Sequence, residues 1–246
     1  QRGNIMPSSP AHTRFAHTHW SIAMQPDAEH PASAGEALVE LCQRYWYPVY
    51  AYIRHRGHAP EIAQDITRNF LQHLFRHFRE QGTADAQGRF GRYLLMRLHE
   101  FLAEDWRKTS DDAVVGEFAQ PPADLERRNQ SDNAGAGSPE QAYQQSFALE
   151  VLHRSLANLR KEARQTGHLD MYEALEPHLA REPVAGEYEE IARRLHSHPL
   201  ALVVALKRLR QRLRELSDAE LTDTVASAEE LSAEKPALHA ALRGRP

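Results

Sequence analysis

The sequence predicts an all-α protein: two small helical domains joined by a flexible linker, the second a helix-turn-helix. Three observations lead there. Apolar residues recur at helical spacing, most regularly at Ile62, Ile66, Phe70, Leu74 and Phe78, the pattern of a helix that buries one face. Aromatic residues make up only 8% of the 246 residues and the mean hydropathy is -0.65, so the cores are modest and two small helical domains fit better than one thick sheet. Residues 109–139 hold Asp-Asp, Pro-Pro and a GAGSP run with few large apolar side chains, the composition of a linker.

Charge and cysteine usage narrow the function classes. The net charge is -4, which by itself does not mark a nucleic-acid binder. The distribution matters more: Lys207 to Arg214 is strongly basic and Asp218 to Glu234 is acidic, and a local basic stripe can hold phosphate in a chain that is acidic overall. A single cysteine, Cys42, excludes an intrachain disulfide and a cysteine-based zinc site, and makes a reducing cytoplasm the default expectation. The longest apolar run, Leu200 to Leu206, is too short to span a bilayer. No charged-then-apolar leader is read at the start, so no signal peptide is expected.

Taken in order, residues 1–13 read as a polar, flexible tail. The stretch RFAHTHWSIAM from Arg14 to Met24 offers His12, His17 and His19 nearby, but histidines without a carboxylate or cysteine at ligand spacing are a weak metal signal, and no metal or cofactor is expected. Phe15, Trp20 and Ile22 are expected to pin this segment onto the first domain. Pro26 to Gly35 reads as a loop. From Gly35 to His55 a long helical pattern follows, with Pro48 predicted to bend or break it and Gly57 to end it.

The stretch from Gly57 to Phe78 reads as one helix with Pro60 in its first turn. Its apolar arc is Ile62, Ile66, Phe70, Leu74 and Phe78, filled beside by Ala63, Leu71 and Phe75. Its opposite face carries Glu61, Gln64, Asp65, Arg68, Asn69, Gln72 and Arg76. A packed back and a polar front of mixed charge suit a docking helix. Gly88 to Lys108 is the third helical stretch, with Phe90, Leu94, Leu98, Phe101 and Leu102 as its apolar face. Arg92, Arg97, His99, Arg107 and Lys108 stand beside Tyr93 and Trp106. Interleaved basic and aromatic side chains suit single-stranded nucleic acid, charges following phosphates and rings stacking on bases. They equally suit an ordinary amphipathic helix whose aromatics are core.

Beyond the linker, residues 140–217 carry helical patterns at 140–167 and 169–179. YEEIARRL, a His-Ser-His turn at 196–198, and a helix from Pro199 follow. Ser197 or His198 is the expected cap. The length and pattern are those of a helix-turn-helix, or of a basic hairpin that packs on a protein. Its second helix is predicted to bury Leu202, Ala205, Leu206, Leu209 and Leu213 and to show Lys207, Arg208, Arg210, Arg212 and Arg214. Residues 218–246 read as an acidic C-terminal extension, a frayed helix or tail able to fold back on the basic Lys207–Arg214 stripe. No paired carboxylates, Gly-rich phosphate loop or nucleophile–base spacing supports an enzyme.

The blocks RFAHTHWSIAM, LCQRYWYPVYAYIRHRGHAPEIAQDITRNFLQHLF, GRFGRYLLMRLHEFLAEDW, YEALEPHLA and YEEIARRL–ALKRLRQRLREL resemble, in this order, the extracytoplasmic-function (ECF) group of bacterial RNA polymerase sigma factors. The likeness is to a subgroup with a Thr-His-Trp-Ser-like start and a long C-terminal end. The resemblance implies a promoter-specificity subunit without enzymatic activity. Its first domain (14–108) would dock on core RNA polymerase through Glu61, Gln64, Asp65, Arg68, Asn69 and Gln72. The same domain would open the −10 element of promoter DNA through Arg92, Tyr93, Arg97, His99, Trp106, Arg107 and Lys108. Its second domain (140–217) would meet the −35 element through Ser197, His198, Lys207, Arg208 and Arg210. A Ser/Thr kinase or an anti-sigma factor is a further implied partner, and a membrane is not.

Two departures stand out. Relatives carry an acidic docking front; here Arg68-Asn69 stands where a Gln-Glu pair is usual, a change of about two charge units at a surface where rim charges set encounter and partner choice. A phosphate on Thr67 would restore about that much charge. Thr67 is therefore a candidate phosphorylation site, although a helical wheel turns it toward the buried arc. In the recognition helix, Pro199, Leu200 and Val203 occupy the positions expected to reach bases. Apolar side chains there can touch thymine methyls but form no bidentate bonds to bases. The alternative reading is a sigma-derived regulator that has lost promoter recognition and binds a protein partner.

Overall fold

Helical periodicity in the sequence becomes helix throughout: in the computed structural model, which describes residues 15, 17–24, 31–81, 88–103 and 122–243, every regular element is a helix. The predicted tail at 1–13 and residues 109–121 of the predicted linker lie outside the described residues. The first elements are α1 (His19–Met24) and α2 (Pro31–His55). Helix α2 starts inside the stretch expected to be a loop and runs through Pro48 without ending. The predicted break fails because all residues from 45 to 53 are buried. A helix packed on every side holds its course where an isolated one would give way at the missing N–H. Gly57, at φ 92°, ends it in the left-handed conformation that costs a glycine little. Burial also pushes the Cys42 thiol up, so this cysteine is an inert core residue.

Helix α3 (Pro60–Gln81) buries Ala63, Ile66, Phe70, Leu71 and Leu74. Ile62, predicted to lie in the core arc, is 43% exposed, whereas Thr67 is fully buried. The true arc is centred on 63, 67, 70 and 74, one step round the helix from the arc the large side chains alone indicate. Helix α4 (Phe90–Ala103) buries Phe90, Tyr93, Leu94, Leu98 and Phe101. Trp20 is fully buried against Phe90 and Tyr93, ring centroids 5.1 and 5.6 Å away.

The chain divides into two compact units, Gln1–Glu150 with Leu221–Pro246, and Val151–Glu220. These bounds differ from those read off composition. Helix α5 (Pro122–Asp132) falls in the predicted linker, yet it is fastened to α2. Tyr47 donates to Asp132 at 3.0 Å, Tyr50 to Glu126 at 2.8 Å, and Arg54 grips Glu126 through two nitrogens at 2.6 and 2.8 Å. Arg128 lies 3.8 Å above the Tyr47 ring. A polar segment joins the core here by pairing every buried charge, a device that composition does not reveal. The first turns of α6 (Pro139–Gln165) also belong to this unit: Phe147 stacks on Tyr45 at 4.6 Å and Tyr143 donates to the Gly91 carbonyl at 2.9 Å.

The C-terminal segment supplies the last part of the same unit. Leu221, Thr224 and Val225 are buried, and helix α10 (Ala228–Arg243) follows. The Asp223 carbonyl accepts from the Trp20 N–H and the Thr224 carbonyl from the Phe90 N–H, both at 3.1 Å. The Val225 carbonyl accepts from Thr18 Oγ1 at 2.9 Å. The Asp223 side chain receives Arg44 at 2.9 Å, with His19 at 3.2 Å. Burial works to raise this carboxyl, but His19 and Arg44 outweigh it and the net direction is down. Of the predicted acidic extension, Leu221, Thr222, Thr224, Val225 and Leu231 are thus core of the first unit, while the other described residues up to 236 are half-buried or exposed.

The second unit holds the rest of α6, then α7 (Leu169–Leu175), a 3-10 turn at Glu176–His178, α8 (Glu187–Arg194) and most of α9 (Pro199–Thr222). Leu175, Ile191, Leu202 and Leu206 form one buried cluster, and Leu159, Ala163 and Tyr172 a second.

The Arg54 pair holds the Glu126 carboxyl down to about 2. A carboxyl depressed on folding contributes stability above its unfolded value of about 4.3, and that contribution is lost as the pH falls through the folded value. Glu126→Gln should therefore destabilise the first unit by on the order of 1–3 kcal/mol at neutral pH. In urea titrations the gap to the native chain should close between about pH 4.5 and pH 2.

Candidate functional site

Three surfaces were marked by the sequence, and side-chain commitments decide what each can do. On α3, Glu61 and Asp65 are exposed, and Arg68, Asn69 and Gln72 are half-buried. They fall at i, i+4, i+7/i+8 and i+11, one stripe along a helix whose back is packed. Gln64, predicted for this stripe, is 8% exposed and belongs to its buried edge. Arg68 donates to Asp65 at 3.3 Å, so the remaining acid at the centre of the stripe is neutralised by the arginine one turn on. Exposed pairs of this kind contribute little stability; the consequence is a front on which Glu61 is left as the one acid without a neighbouring arginine pair among these residues.

Thr67 is fully buried, and its hydroxyl donates to the Ala63 carbonyl at 2.7 Å. This is the back-bonded rotamer of a threonine inside a packed helix. A kinase would meet no accessible hydroxyl there, so the structure speaks against Thr67 as a modification site in the folded chain.

Helix α4 gives up part of its expected nucleic-acid face. Tyr93 is 1% exposed, packed edge-on against Phe78 at 5.8 Å and tilted against Trp20 at 5.6 Å; it is a core residue and no platform for a base. Arg97 is bound to Glu100 at 2.8 Å and lies 3.0 Å from His77 Nδ1. His99 is exposed but shares a 2.7 Å hydrogen bond with the Tyr52 hydroxyl. Arg92 stays exposed, and its side chain has no polar partner among the described residues. Trp106, Arg107 and Lys108 lie outside the described residues.

In the second unit, α8 and α9 are separated by residues 195–198, with His196 at φ 49° turning the chain. His198 caps α9: its carbonyl accepts from the Ala201 N–H at 2.9 Å and its Nδ1 from the Leu200 N–H at 3.2 Å. The predicted cap is met by the ring of a histidine, with Ser197 half-buried beside it. Lys207 and Arg208 are exposed. Arg210 is not available: it is bound to Glu182 and to the carbonyls of His178 and Arg181, the latter at 2.8 and 2.6 Å. Arg212 is likewise held by Glu162 at 2.7 Å and Glu215 at 3.0 Å. Two of the five basic residues of the stripe, Arg210 and Arg212, therefore brace the unit.

Helix α9 also shows apolar side chains to solvent. Leu200 is 68% exposed, with Val203 and Val204 also exposed. Leu200 and Val204 line a groove of about 770 Å³ with Leu159, Met171, Leu209 and Arg208. Leu200 and Val203 were legible as misplaced apolar residues in a recognition helix; Val204 and the groove behind it needed the packing of α6 and α7.

Replacing Thr67 by Glu should not mimic an activating phosphate. It would place a charge in a packed arc, and urea unfolding should show a loss of about 3 kcal/mol or more. No family model, curated protein or solved structure matches the chain.

Proposed function

We propose that the protein is an alternative RNA polymerase sigma factor of the ECF type, a non-enzymatic cytoplasmic subunit that directs initiation at a subset of promoters. The observation that carries this reading is the α3 stripe. Glu61, Asp65, Arg68, Asn69 and Gln72 line one accessible face of a helix whose opposite side is core, within blocks that resemble the family in order. Helices α8 and α9 support it with a capped four-residue connection and accessible Lys207 and Arg208, suited to phosphates. The internal Asp65–Arg68 pair leaves docking weak in the resting chain. An activating signal then acts by changing the charge of this front at a position other than Thr67.

A second reading is favoured by one observation, the exposed Leu200, Val203 and Val204 on α9. In it, the second unit meets a protein partner through its apolar groove and promoter recognition is lost. An amphipathic helix laid into a groove is a recurrent mode of such binding. Promoter-dependent run-off transcription separates the two: a specific transcript supports the sigma factor, its absence the regulator.

The direct test is binding to core RNA polymerase, native chain against Arg68→Gln/Asn69→Glu. The substitution removes one positive charge and adds one negative charge. It should tighten binding about tenfold, with the gain shrinking at high salt. Equal affinity of the two chains would remove α3 from the docking surface. Binding by neither would discard the sigma-factor reading.

A further inference from the structure

We infer that Arg89 and Arg92 form an anion site, for a phosphodiester strand, which the Glu234 carboxylate occupies in this chain. The inference rests on the reading that α4 serves single-stranded DNA. Arg89 stands immediately before the first residue of α4, and Arg92 follows one turn on. Both line a pocket of about 280 Å³ with Tyr45, Gly91, Phe147 and Glu234. The aromatic floor comes this close to the backbone only because residue 91 has no side chain: a Cβ there would stand 2.8 Å from the Tyr45 hydroxyl.

Glu234, on α10, is ion-paired with Arg89, and its side chain is 13% exposed against 29% for Arg89. A carboxylate half-sunk against an arginine, at the lip of a pocket whose other arginine has no polar partner among the described residues, sits as an anionic ligand would. The segment that delivers it is held separately. Leu221, Thr222, Thr224 and Val225 are core, the Ala226 N–H donates to Glu230 at 2.8 Å, and the Glu230 N–H to Ser227 Oγ at 3.2 Å. Glu234 lies beyond these anchors, so an incoming strand can displace it without dismantling the core beneath. The acidic C-terminal segment then acts as a competitor in cis.

The test uses the full chain and a fluorescent 20-residue oligo-dT at low salt. Glu234→Gln should bind about three- to tenfold more tightly, with a salt dependence steeper by about one ion. Adding Arg89→Ala to Glu234→Gln should abolish the gain. In the native chain, saturating oligo-dT should raise amide hydrogen exchange over 231–236 while leaving 221–225 protected, a readout independent of either substitution. Equal affinity of the three chains, including no binding by any, or unchanged exchange over 231–236, overturns the inference. If the oligo-dT effects hold while core polymerase is not bound, the site stands and the sigma-factor reading fails.

Discussion

Three consecutive carbonyls near the C-terminus hold the first unit together. Those of Asp223, Thr224 and Val225 accept from Trp20, Phe90 and Thr18. Two of the donors are N–H groups in the first turns of α1 and α4, which no helix can satisfy from within itself. One crossing strand of backbone therefore completes two helix starts, in a region where water is excluded and an unmade bond would cost the desolvation of its donor. Arg44 and His19 gather on the Asp223 side chain at the same place. The burial of Trp20 and the seating of Phe90 and Tyr93 on it depend on this crossing. An acidic segment that composition marks as peripheral is what closes the core.

Charge in this protein is largely spent internally. Arg54 and Arg128 fasten α5 to α2 and α6; Arg210 and Arg212 brace the second unit; Arg68 closes on Asp65. Counting basic residues along α9 or α4 overstates what a phosphate would meet. The side chains left accessible without an acidic partner are fewer: Arg92 on α4, and Lys207, Arg208 and Arg214 on α9. On α9 these cations stand beside exposed Leu200 and Val203, a set that would give a phosphate backbone general affinity more readily than base-by-base discrimination. The weak front of α3 belongs to the same pattern: each surface that would engage a polyanion or a polymerase is partly quenched by the chain itself.

Much of this was legible in the sequence, and for a physical reason. Local periodicity records which face of a helix is apolar, so α3, α4, α8 and α9 could be placed from Ile66, Phe70, Leu98, Ile191 and Leu206, and Gly57 and the 197–198 cap could be read from backbone chemistry alone. The burial of Thr67 was foreshadowed by its position on the helical wheel. Tertiary structure decided whatever depends on partners distant in sequence. Helix α2 passes through Pro48 because it is surrounded. Residues 122–132 join the core because Tyr47, Tyr50 and Arg54 meet their carboxylates. Tyr93 is core because Trp20 and Phe78 close over it, and Arg210 is committed because Glu182, twenty-eight residues earlier, reaches it. Sequence pattern fixes the faces of helices, since these repeat every few residues; pairing across long loops leaves no such period, so which charges are free and where the C-terminal segment goes emerge only on folding.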